Sequence, residues 1–185
     1  MIFHYKVVAI FLMALILIQG MIHTMKIKVL ITGGTIDKAY KELTGELSFT
    51  ETHMVDMLNR GRSMADTLSE VLFLKDSLEM TDSDRAFILD RCQSSDEQNI
   101  LITHGTDTMV QTAQFLAENV KDKTVVLFGS MIPYSVNNSD ALFNLGVALS
   151  AVQIKGNGVY IAMNGRVFDF DKVQKDKSLG IFVDA

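Results

Sequence analysis

Five short runs rich in Val, Ile and Leu recur along the chain, at 27–32, 71–74, 100–103, 124–128 and 159–163. Runs this short, bounded by glycine or polar residues, read as buried strands rather than helices. Helix-spaced apolar residues fill the gaps, at 50–58, 81–92, 107–120 and 139–152. Thr81 is placed to cap the second of these helices with Asp84 in its first turn, and Ser139 or Asn138 to cap the last. Strands alternating with helices predict an α/β fold. The expected architecture is an open, mostly parallel sheet flanked by helices, a Rossmann- or flavodoxin-like three-layer sandwich. Residues 165–170 add a short hairpin or an extension.

An open parallel sheet binds ligands beyond the carboxyl ends of its strands. The unusual polar stretches of this chain lie there. Gly33-Gly34-Thr35 follows the first run, and Asp76-Ser77 the second. His104-Gly105-Thr106-Asp107 follows the third, and Gly129-Ser130 the fourth. Four such ends converge on one crevice.

Residues 1–24 stand apart. The stretch from Val7 through Ile18 is wholly apolar and follows His4 and Lys6. It is short for a membrane span, which takes about 20 apolar residues, and no small-residue cleavage site follows it. Three readings compete: a start extended beyond a true initiator at Met25, an export signal or anchor, and an extra core helix. A start at Met25 makes the protein cytoplasmic; a genuine leader makes it periplasmic or membrane-anchored. Residues 25–185 are read as one α/β domain.

The formal net charge of −5, without a long basic run, argues against a nucleic-acid partner. The one cysteine, Cys92, lies in a helical pattern and reads as a buried structural thiol. His4, His23, His53 and His104 are scattered and make no zinc-spaced cluster with it. Nothing in the residues demands a metal or an organic cofactor.

Gly33-Gly34-Thr35 is compatible with a simple turn, with a weak phosphate loop, or with a hydroxyl nucleophile that a glycine turn lets a ligand approach. Thr106 and Asp107 are compatible with helix capping, but capping accounts for one of them and not for the run His104 to Thr108. Asp107 there can face a substrate ammonium group. A hydroxyl nucleophile needs an activating base, and a desolvated lysine supplies one. The residues alone do not select among seventeen lysines and arginines.

Taken together, Ile31-Thr32-Gly33-Gly34-Thr35-Ile36 and the segment Ile102-Thr103-His104-Gly105-Thr106-Asp107-Thr108-Met109 resemble the two signature motifs of the bacterial-type L-asparaginases. Asp76 to Thr81, Val126 to Pro133 and Asp140 to Leu145 are similar to further segments of that family. The resemblance runs from about Lys26 to Ala185. It implies Thr35 as the nucleophile that forms an acyl-enzyme and releases ammonia. Thr106 would stand in a Thr–Lys–Asp arrangement. The family's lysine follows a Phe-Asn-Leu tripeptide by ten residues, and counting from Leu145 reaches Lys155. Asp107 would bind the substrate α-ammonium and Ser77 its α-carboxylate. Gly34 and Thr106 would line the site, and the backbone around Ser130 would meet the leaving amide. The implied substrate is L-asparagine, with L-glutamine as a second amide, and the implied assembly is a homo-oligomer.

Three departures from the family pattern stand out. Only its N-terminal domain is matched, which suggests a stand-alone short form. The lid tyrosine falls best on Tyr40, although Phe49 sits nearer the usual place. Leu78 stands where many members carry a polar residue. These departures keep two alternatives open: a non-catalytic amino-acid-binding module, and an amidotransferase-like component that depends on a partner.

Overall fold

The computed structural model describes residues 25–185; the apolar stretch from Val7 through Ile18 lies outside them. Six strands form the main sheet. They are β1 (Lys26–Gly33), β4 (Asp66–Lys75), β5 (Asn99–Thr103), β6 (Thr124–Phe128), β7 (Gly158–Met163) and β8 (Arg166–Asp169). Their order is β4-β1-β5-β6-β7-β8, parallel throughout except for β8, which runs antiparallel to β7. The stretch 165–170, expected as a short hairpin or an extension, turns back on β7 as a hairpin and adds the sixth strand.

Side chains of a strand point alternately to opposite faces, and the core divides accordingly. Leu30, Ile100, Ile102, Val125, Leu127 and Ile161 pack on one face against α2 (Asp82–Ser94) and α3 (Met109–Asn119). Val29, Ile31, Leu101, Val126 and Phe128 pack on the other against α1 (Met54–Arg60) and α4 (Ala141–Ile154). This is the expected three-layer sandwich. Cys92 belongs to the first core, and burial pushes its thiol up to about 12. Among the described residues no helix is long and apolar enough to cross a membrane.

The cap expected at Thr81 is present, whereas the N-cap of α4 is Asp140, one residue beyond the expected Ser139. Thr81 and Asp84 close a reciprocal capping box at the start of α2. Ser139 Oγ accepts the Ala141 N–H at the start of α4. Two small hairpins were not expected. One joins β2 (Lys38–Lys41) to β3 (Glu46–Phe49), and the other β9 (Gln174–Asp176) to β10 (Ile181–Val183).

Strand order reverses about β1. The chain leaves β1 for β4 on one side, then returns through α2 to β5 on the other. The crevice at such a switch point opens between the carboxyl ends of β1 and β5. Those ends are tied together: Thr32 Oγ1 donates to the Thr103 carbonyl at 2.5 Å, and Thr103 Oγ1 accepts the Thr32 N–H at 3.1 Å.

Candidate active site

Glycines bring the strand ends together backbone to backbone. Gly33 and Gly34 have φ of +89° and +83°, in the region that side chains avoid. A Cβ on Gly34 would stand 2.4 Å from the Gly105 nitrogen, and one on Gly33 2.6 Å from the Lys75 nitrogen. One on Gly105 would stand 2.6 Å from Ser77 Oγ, and one on Gly129 2.3 Å from the His104 carbonyl. The loops after β1, β4, β5 and β6 thus pack with no side chain between them. Thr35, Ser77, Thr106, Asp107 and Ser130 are held on this cluster.

Each side chain has a distinct setting. Thr35 opens a short 3-10 turn, Thr35–Asp37, and is the one residue from Val29 to Asp37 with partial exposure. Ser77 is buried, and its hydroxyl has no hydrogen-bond partner among the described residues. A buried polar atom left unpaired is costly, which suits a group that waits for a ligand. Ser130 differs: its hydroxyl donates to the Ile132 carbonyl at 2.7 Å, so its side chain is occupied locally. Tyr40, on β2, is 60% exposed, and its hydroxyl lies over Gly45 within its own hairpin. Phe49 closes the same hairpin.

The lysine beside Thr106 is Lys175, not Lys155. Lys175 Nζ donates to Thr106 Oγ1 and to Asp107 Oδ1, both at 2.8 Å. The lysine side chain is 11% exposed and the aspartate 37%. Lys155 lies at the opposite edge of the sheet. Its carbonyl accepts from Thr124 Oγ1, on the first residue of β6, and its ammonium sits 4.7 Å from the Tyr160 ring centre and 4.0 Å from Asp169 Oδ1. The reason is helical direction. The start of α4 is fastened to the carboxyl end of β6, where Asn144 Nδ2 donates to the Gly129 carbonyl and Asp140 accepts the Met131 and Ile132 N–H groups. Fourteen residues of helix then carry the chain about 20 Å toward the other edge. Counting down that helix leads away from the site. Lys175 instead follows the fifth parallel strand, as every other site residue follows its own. Asking which lysines come after Met163 would have kept it in view.

His104 is not a base for this site. It is fully buried, with Nδ1 2.8 Å from the Gly105 carbonyl and Nε2 3.2 Å from Met80 Sδ. Burial drives its pKa down to about 4, and Arg85 nearby acts in the same sense. The ring is neutral at physiological pH and donates from Nδ1.

Comparison with known proteins gives the family of the chain. The family model described as "Asparaginase, N-terminal" matches residues 26–181. A probable periplasmic L-asparaginase of Haemophilus influenzae is 33% identical over 171 residues, covering 84% of this chain and 47% of that protein. A glutaminase-asparaginase of Acinetobacter glutaminasificans is 32% identical over 157 residues, 78% of this chain and 47% of its own length. The solved thermostable L-asparaginase from Thermococcus kodakarensis superposes with a TM-score of 0.77 at 31% identity, over 86% of this chain and 51% of that one. The chain spans about half the length of these relatives. It belongs to the asparaginase family.

Proposed function

We propose that this member of the asparaginase family hydrolyses the side-chain amide of L-asparagine, with Thr35 as nucleophile. The observation that carries the reading is the Lys175 ammonium held between Thr106 Oγ1 and Asp107 Oδ1 beside the glycine turn that bears Thr35. Thr35 Oγ1 adds to the amide carbon while its proton is relayed through Thr106 Oγ1 to Lys175 Nζ, which passes a proton on to the departing nitrogen. Collapse of the adduct breaks the C–N bond. Ammonia departs with the proton returned, and a β-aspartyl ester remains on Thr35. Water then attacks this ester, its proton passing along the same route and back to Thr35 Oγ1 as the ester C–O bond breaks, and L-aspartate leaves.

General-base assistance of this kind is worth about 10²–10⁴ in rate. Ser77 Oγ, buried and without a hydrogen-bond partner among the described residues, would donate to the α-carboxylate, and the Asp107 carboxylate, one oxygen of which accepts from Lys175, would receive the α-ammonium. A backbone N–H near Thr35 would donate to the carbonyl oxygen, and a backbone carbonyl near Ser130 would accept from the leaving amide's N–H. The glutaminase-asparaginase relative makes L-glutamine the second amide to test.

The test is ammonia release from L-asparagine, L-glutamine and D-asparagine by the parent chain and its Thr35→Ala variant. Release from L-asparagine that disappears in Thr35→Ala is expected. Undiminished release in the variant contradicts the reading, and calorimetric binding of L-aspartate without turnover would make the chain a binding module.

A further inference from the structure

The hairpin 38–49 forms a two-stranded sheet of its own, apart from the main one. Its outer residues Tyr40, Leu43 and Leu47 are exposed. What holds it down is concentrated at its base. Lys38 Nζ donates to Asp76 Oδ2 at 2.5 Å, with both side chains mostly covered. The Lys38 carbonyl accepts from Ser135 Oγ at 2.9 Å, and the Phe49 ring centre lies 5.6 Å from the lysine nitrogen.

The two partners sit at informative places. Lys38 closes the turn that Thr35 opens, its own N–H bonded to the Thr35 carbonyl. Asp76 directly precedes Ser77, and its second oxygen accepts the Leu78 N–H at 3.0 Å. One carboxylate is therefore shared between the Ser77 turn and the hairpin. Lys38 is the main reason that this carboxyl is held below the usual carboxylate range, with Lys175 adding to the effect, so the pair is intact at neutral pH. A charge-assisted bond between partly covered groups is stronger than a solvated surface pair.

We propose that Lys38 and Asp76 are positioning residues that clasp the Tyr40 hairpin to the Ser77 turn and set the width of the crevice for an amino-acid substrate. The role in substrate binding rests on the asparaginase reading above; the clasp itself does not. Without the pair, the hairpin loses its charged anchor and the Ser77 turn loses its tie to the hairpin. The substrate is then held less tightly at its carboxylate end, while Thr35, Thr106 and Lys175 stay in place.

Two measurements on the full chain test this, using Lys38→Met, Asp76→Asn and Lys38→Arg. The first is cleavage by a glutamate-specific protease after Glu42, in the exposed hairpin turn, which reads local opening without any need for activity. Lys38→Met and Asp76→Asn are expected to be cut about tenfold faster than the parent at an unchanged thermal midpoint, and Lys38→Arg at close to the parent rate. The second is KM against kcat for ammonia release: KM is expected to rise about tenfold in Lys38→Met and Asp76→Asn, with kcat within about threefold and rescue by Lys38→Arg. Unchanged cleavage overturns the clasp, and faster cleavage with unchanged KM overturns the positioning role. If the parent releases no ammonia, the asparaginase reading fails and the cleavage rates decide the clasp alone.

Discussion

Gly105 leaves the site no spare volume. A methyl group there would meet Ser77 Cβ and Oγ at 2.6 Å and the Ser77 backbone nitrogen at 3.0 Å. No flexible side-chain end is available to yield, because the obstacle includes main chain. Gly105→Ala is therefore expected to lower kcat/KM at least about tenfold and to cost roughly 1–3 kcal/mol of stability through overpacking. Steady-state kinetics and urea unfolding check this; full activity in the alanine variant would mean that the two turns can separate freely. At this scale much of the site was legible. Thr35, Ser77, Thr106, Asp107 and Ser130 were named by their places after strands, and the fold gathers those places together. The charged partners were not. A lysine has no local signature that separates a buried partner from a surface charge, and the side chains of Lys38 and Lys175 reach across 38 and 69 positions of sequence to Asp76 and Thr106.

Elements explain which expectations failed. The fourth strand spans Asp66–Lys75, although only 71–74 was anticipated. It lies at the sheet edge with a single neighbour, β1, so its first half can carry Asp66, Ser69 and Glu70 without burying them. The hairpin strands β2 and β3 are four residues each, half of them exposed and none buried, which leaves little apolar alternation to read. The end of β5 makes a pH prediction. His104 is buried against Met80 and the Gly105 carbonyl, with its pKa lowered from the ordinary 6.5 to about 4. The unfolded chain takes up this proton at higher pH than the native one. The imidazole's contribution is thus fully present above pH 6.5 and is lost as pH falls toward about 4. The loss is of the order of 3 kcal/mol. Unfolding free energies measured between pH 7 and 4 should decline, and His104→Phe should flatten that decline even if it lowers stability overall. An equal slope in both proteins would place the acid sensitivity elsewhere.

For the whole molecule, the sandwich was the most legible feature. Its strands are short, apolar and separated by helices, and parallel pairing buries both faces. The direction in which a helix crosses the sheet was also implicit in that architecture, and it decides between the two lysines. A helix that starts at the carboxyl edge of a parallel sheet ends at the other edge, so Lys155, at the foot of α4, is remote from the crevice that Lys175 enters from β9. Under the proposed function, Thr35 and Lys175 form one amidase site across β1, β5 and β9. The measurement that tests it most directly is kcat/KM for ammonia release from L-asparagine by the parent, Thr35→Ala, Lys175→Met and Lys155→Met. The account predicts no release from Thr35→Ala, a loss of about 10²–10⁴ in Lys175→Met, and a value within about twofold of the parent in Lys155→Met. Release that survives Lys175→Met, or that falls as far in Lys155→Met, would contradict it.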